Sequence, residues 1–105
     1  MTKKEFMMGY LEAEARIRLK KAQAEGEFPS EALASEIAEL EAKRKAVVEA
    51  IESAPKAEMR MVLEALYING MTYEQAAFAV GYGERNMYIL RRKAFEAMKF
   101  PAGVA

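Results

Sequence analysis

Apolar side chains recur along this chain at spacings of three and four, the period of a helix that buries one face. The period breaks wherever glycine, proline or a capping residue interrupts it. In order, the pattern predicts helices near residues 3–25, 31–53, 55–68, 72–80 and 84–99. The expected fold class is all-α: an antiparallel helical hairpin, coiled-coil-like, over residues 1–53, a three-helix unit over 54–100 and a frayed tail over 101–105.

The first helix opens on Thr2-Lys3-Lys4-Glu5, which has the spacing of a capping box. Phe6, Tyr10, Ala13, Ile17 and Ala24 share one face, interrupted by Lys20, and Gly26 is the expected stop. Gly26-Glu27-Phe28-Pro29 reads as a loop, with Ser30 capping the second helix. There Leu33, Ile37, Leu40, Val47 and Ile51 form a heptad seam with Arg44 in its gap. Two helices of about 22 residues, roughly 33 Å each, joined by a short loop pack antiparallel. A pair of helices buries little, so the seam needs the C-terminal unit or a second chain to cover it. The hairpin is therefore also a candidate homo-oligomer contact. Arg16, Arg18, Lys20 and Lys21 cluster near the end of the first helix and read as its solvated face.

Ser53-Ala54-Pro55 marks the boundary, because the residue before proline avoids the helical region and proline suits a first helical turn. Met59, Val62, Leu63 and Leu66 give the third helix its apolar face, and Asn69-Gly70 ends it. Thr72 and Gln75 are spaced as a second capping box, followed by the small apolar residues Ala76, Ala77 and Val80. Gly81-Tyr82-Gly83 stops that helix. The fifth helix turns Met87, Leu90, Ala94 and Met98 inward, which at about 100° per residue leaves Arg85, Tyr88, Ile89, Arg92 and Glu96 outward. A short helix, a tight glycine turn and a longer basic helix have the form of a helix-turn-helix, which lays its second helix in the DNA major groove. Three helices of about 45 residues are few for independent stability, so the hairpin should support them.

Composition narrows the chemistry. The 105 residues include neither cysteine nor histidine, which removes disulfides, most zinc sites, thiol nucleophiles and imidazole catalysis. No phosphate-cradling loop, metal-ligand spacing or nucleophile–base constellation is present, so the chain reads as a non-enzyme without cofactor or metal. No apolar run is long enough to span a bilayer, and MTKKEF lacks the apolar core of a signal peptide, so the expected location is cytoplasmic. Five of the eight methionines, Met59, Met61, Met71, Met87 and Met98, fall at or near apolar stripes and read as core filling.

Formal net charge is zero, but it is unevenly placed. Residues 31–53 hold three basic and six acidic side chains, whereas residues 81–99 hold five basic and two acidic ones, a local charge of +3. Positive charge thus gathers on the fifth helix, as nucleic-acid binding requires.

The stretch MRMVLEALYINGMTYEQAAFAVGYGERNMYILRRKAFEAM resembles region 4, the promoter-reading part, of bacterial sigma factors. Leu63, Tyr67, Gly70, Thr72, Tyr73, Glu74, Ala77, Gly81, Met87, Lys93, Ala94 and Phe95 carry the likeness. With its N-terminal half included, the chain is similar to small phage-encoded, sigma-like transcription regulators of the RinA/ArpU type. The resemblance implies double-stranded DNA as partner, with RNA polymerase as a second candidate. It also implies Glu84, Arg85, Tyr88 and Ile89 as base-reading positions, three of which the helical rotation independently turns outward. Gly83 stands where the family usually has a Ser or Thr cap. With no second sigma region in this sequence, the expectation is binding of DNA or polymerase rather than replacement of a sigma factor.

Arg85 suits a bidentate contact to guanine, Ile89 a thymine methyl and Glu84 a cytosine amino group. Arg92, Lys93 and Lys99 suit phosphates, which position a protein without reading sequence. Two other readings fit the same pattern: a phage DNA-packaging recognition subunit of small-terminase type, and a coiled-coil interaction module that binds a protein without reading DNA.

Overall fold

The computed structural model describes residues 1–26 and 31–105, and these are all-helical, without strands. Helix α1 spans Lys3–Gly26 and α2 spans Glu31–Glu52. Helix α3, Ala57–Leu63, runs directly into a π-helical turn over Glu64–Ile68. Helices α4, Tyr73–Val80, and α5, Glu84–Ala97, complete the chain. The expected loop over residues 27–29 and the Ser30 cap lie outside the described residues. No helix among the described residues is long and apolar enough to cross a membrane.

Helices α1 and α2 are antiparallel, as their cross-contacts demonstrate. Lys20 pairs with Glu36 at 2.6 Å and Lys21 with Glu41 at 3.8 Å, Ala13 and Ile17 cluster with Leu40, and Met7 shares a core with Val47. Later residues of α1 therefore meet earlier residues of α2. Thr2 caps α1, its hydroxyl oxygen accepting the Glu5 N–H at 3.1 Å. Glu5 does not close the expected box through the Thr2 backbone; its carboxylate accepts the Thr2 hydroxyl at 2.9 Å.

Hairpin and C-terminal helices share one core. Met7, Val47, Ala50 and Ile51 are buried in the same cluster as Met59, Val62, Leu63, Leu66, Met87 and Ala94. Met7 lay outside the stripe read from the sequence. It is buried because α1 is covered on two sides, by α2 and by the π turn.

The third helix starts two residues later than the proline suggested. Lys56 is its extended N-cap (φ −113°, ψ 141°), while Arg60 Nη1 donates to the Ala54 carbonyl at 2.6 Å and ties the boundary to the end of α2. Its last turn widens: the Asn69 N–H donates to the Glu64 carbonyl at 2.9 Å, five residues back. A π turn adds a residue to the inward arc, and Ala65, Leu66 and Tyr67 are consecutively buried.

The C-terminal end also differs from expectation. Helix α5 stops at Ala97 rather than residue 99, and the extended Met98 (φ −70°, ψ 154°) turns the chain away. The Lys99 N–H then donates to Ser53 Oγ at 2.8 Å. Beyond α5 the chain runs back along the N-terminus: Phe100 meets Phe6 edge-on at 5.8 Å, and the Ala105 N–H donates to the Met1 carbonyl at 3.0 Å. An aromatic row, Tyr67–Phe95–Phe100–Phe6, thereby links the π turn, α5, the tail and α1.

Candidate nucleic-acid interface

The two C-terminal helices are set by local chemistry. Thr72 is extended (φ −69°, ψ 164°), and its hydroxyl oxygen accepts the Gln75 N–H at 3.1 Å. Gln75 Oε1 accepts the Thr72 N–H at 3.0 Å, completing the capping box that satisfies two orphan donors. Gly81 ends α4 in the left-handed region at φ +80°, and the N–H groups of Gly81 and Tyr82 both donate to the Ala77 carbonyl. Gly83 is the N-cap of α5 and offers no side chain to cap it.

Three residues therefore separate α4 from α5. The inward face of α5 is the expected one, with Met87, Ala94 and Met98 buried and Leu90 packed against the core. The outward face presents Arg85, Arg92 and Glu96 to solvent, with Ile89 half-buried among them. Arg85, Tyr88, Ile89 and Arg92 border one shallow groove together with Arg91, Phe95 and Glu96. Glu84 and Lys93 are exposed on the same helix but outside that groove. Lys99 is not gathered with them, since it lies past the end of α5 with its backbone held by Ser53.

Two contacts orient this helix, and neither was read from the sequence. Arg91 Nε donates to the Tyr67 hydroxyl oxygen at 2.6 Å, and the guanidinium lies 4.5 Å from the Phe95 ring centre. Tyr88 stacks face to face on Tyr73 of α4, with ring centres 3.9 Å apart and planes 11° apart. One face of the Tyr88 ring is thus covered by Tyr73, while the residue as a whole stays exposed beside the groove. Burial raises the pKa of the Tyr73 phenol; Arg91 opposes the shift, while Tyr67 and Tyr88 add to it. A signal for Arg91 was present in its spacing: four residues after Met87 and three before Ala94, it falls on the inward stripe.

Charge is used differently in the two halves. Among the described residues every salt bridge lies in the hairpin: Glu12–Arg16, Glu14–Arg18, Lys20–Glu36, Lys21–Glu41 and Lys45–Glu49. The side chains of Arg85, Arg92 and Lys93 form none. Comparison with protein-family models, curated proteins and solved structures returned no match.

Proposed function

We propose that this chain is a sequence-specific DNA-binding transcription regulator of phage or prophage type, a binding protein rather than an enzyme. In this reading α4 and α5 act as a helix-turn-helix of the sigma region 4 kind, and α5 enters the major groove of double-stranded DNA. The observation that carries it is the outward face of α5. Arg85 and Arg92 stand there without acidic partners, whereas five of the nine basic residues of the hairpin, Arg16, Arg18, Lys20, Lys21 and Lys45, each have one.

The roles follow from position. Recognition helices read bases through residues near their N-terminus, and Glu84 and Arg85 are the first two residues of α5. Arg85 has the fork of donors that matches guanine, Ile89 an apolar surface for a thymine methyl, and Glu84 an acceptor for cytosine. Tyr88, fixed by its stack on Tyr73, contributes its hydroxyl. Arg92 and Lys93 meet phosphates. Lys99 can contribute only from beyond the end of the helix.

The test is selection of bound sequences from random duplexes at one fixed salt concentration. A recovered motif supports the reading; retention without any motif overturns base recognition.

One observation favours a second reading, contact with a protein such as RNA polymerase. Phe78 on α4 is 92% exposed, and aromatic side chains, phenylalanine included, are enriched at protein interfaces. Loss of polymerase binding on Phe78→Ala, with DNA binding retained, would support both roles in one chain.

A further inference from the structure

Helix α1 carries a second apolar stripe that stays exposed along most of its length, with Leu11 alone approaching Gly70. Met8, Leu11 and Leu19 are 55%, 38% and 61% exposed, and the exposed Ala15 and Ala22 continue their line. The stripe steps by three, four, four and three, so its members recur at intervals of eleven, the repeat of a nearly straight helix face. It lies almost opposite Ala13 and Ile17, through which α1 packs on α2. Its N-terminal half opens into a shallow groove where Met8 and Leu11 face Leu66, Tyr67, Met71 and Tyr73. Exposed apolar surface of this regularity marks an interaction site.

We infer that this stripe binds a second copy of the chain, α1 against α1, antiparallel about a two-fold axis at Ala15. The stripe is self-complementary under that operation, as a closed symmetric contact requires. Met8 comes opposite Ala22, Leu11 opposite Leu19, and Ala15 opposite itself at the point of closest approach. The groove beside Met8 and Leu11 receives Leu19 and Ala22 of the second copy.

Charge selects the same orientation. At about 100° per residue, Glu12 and Arg16 lie roughly 60° and 100° to one side of Ala15, and Arg18 and Glu14 lie by the same amounts to the other. On both flanks the glutamate precedes the arginine, in the pairs Glu12–Arg16 at 3.0 Å and Glu14–Arg18 at 3.5 Å. Reversing the second helix sets each glutamate against an arginine of the other copy. A parallel arrangement in register sets like charges side by side, which is unfavourable. This contact is independent of whether α5 reads DNA.

The chain has no cysteine, so single introduced thiols report the geometry cleanly. The native chain should sediment at about twice its 11.8 kDa mass. Leu19→Glu should raise the dimer dissociation constant roughly tenfold or more, with helical circular dichroism unchanged because Leu19 is outside the monomer core. Glu14→Arg and Arg18→Glu should each weaken the dimer, and an equimolar mixture of the two should restore it. Ala15→Cys should oxidise to a covalent dimer. Met8→Cys should not, because antiparallel copies hold those positions about 21 Å apart along the axis, beyond disulfide reach. A native monomer at all concentrations would overturn the inference. So would a dimer indifferent to both Leu19→Glu and the charge changes, or one cross-linked by Met8→Cys in preference to Ala15→Cys.

Discussion

Arg91 Nε donates to the hydroxyl oxygen of Tyr67 at 2.6 Å, joining the middle of α5 to the π turn 24 residues earlier. Tyr67 is buried, and a buried phenol needs a partner for its hydroxyl. The half-buried guanidinium in turn needs an acceptor, while its face rests on Phe95. The pair adds a polar tie to the apolar packing of Met87, Ala94 and Met98, which holds the inward face of α5.

Tyr67→Phe keeps the ring and removes the acceptor, leaving a partly buried charged donor unmatched. A hydrogen bond to a charged group contributes about 1.5–3 kcal/mol, and exposure of the arginine places the expected loss toward the lower end. Urea unfolding monitored by circular dichroism measures it. A variant within a few tenths of a kcal/mol of the native chain would leave the orientation of α5 to apolar packing alone.

Two glycines of one turn should respond with opposite signs. Gly81 sits at φ +80° with open space where a Cβ would go, so Gly81→Ala suffers backbone strain and not a clash. The expected cost is about 1–2 kcal/mol. Gly83 is extended (φ −71°, ψ 154°), has equal space and caps α5 without a side chain. Gly83→Ser adds a capping oxygen and reduces the freedom of the unfolded chain, for a gain of about 0.5–1 kcal/mol. Thermal melts of the two variants beside the native chain decide the signs.

Tyr73 should titrate late. Partial burial holds the proton of its phenol above the usual value of 10.0, with Tyr67 and Tyr88 reinforcing the shift and Arg91 opposing it. Since the folded value is the higher one, the stabilisation it represents is complete below the unfolded value and is lost as pH rises through the folded value. Absorbance of tyrosinate followed upward in pH should contain a component above the ordinary tyrosine range, and Tyr73→Phe should remove it. Persistence of that component in Tyr73→Phe would assign it elsewhere.

Arg85 and Arg92 should separate base reading from backbone binding. Arg85→Ala should weaken the preferred duplex by about 1–3 kcal/mol and flatten selectivity at one base pair. Arg92→Ala should weaken binding to all duplexes alike and make the salt dependence shallower by about one unit of slope. Filter binding at several salt concentrations, with selected and scrambled duplexes, reads both. Equal effects of the two changes on both duplexes would remove the base-reading role from Arg85.

Much of what depends on a few neighbouring residues could be read from the sequence alone. The Thr72–Gln75 box, the left-handed Gly81 and the inward set Met87, Ala94 and Met98 each follow from spacings of three or four or from glycine's freedom at positive φ. The antiparallel hairpin follows from two helices of matched length with a short connection. Tertiary structure alone decided the rest. The π turn gains nothing recognisable from local propensity; it exists where Ala65, Leu66 and Tyr67 all find cover in one core. Met7 is buried because two elements meet on α1, and Phe100 is half-buried where it reaches Phe6. Arg91 with Tyr67, and Tyr88 with Tyr73, are chosen across gaps of 24 and 15 residues by how the helices come together. Periodicity assigns a residue to a face of its own helix. The neighbour it meets there is set by the relative placement of whole helices, to which every side chain in the shared core contributes at once.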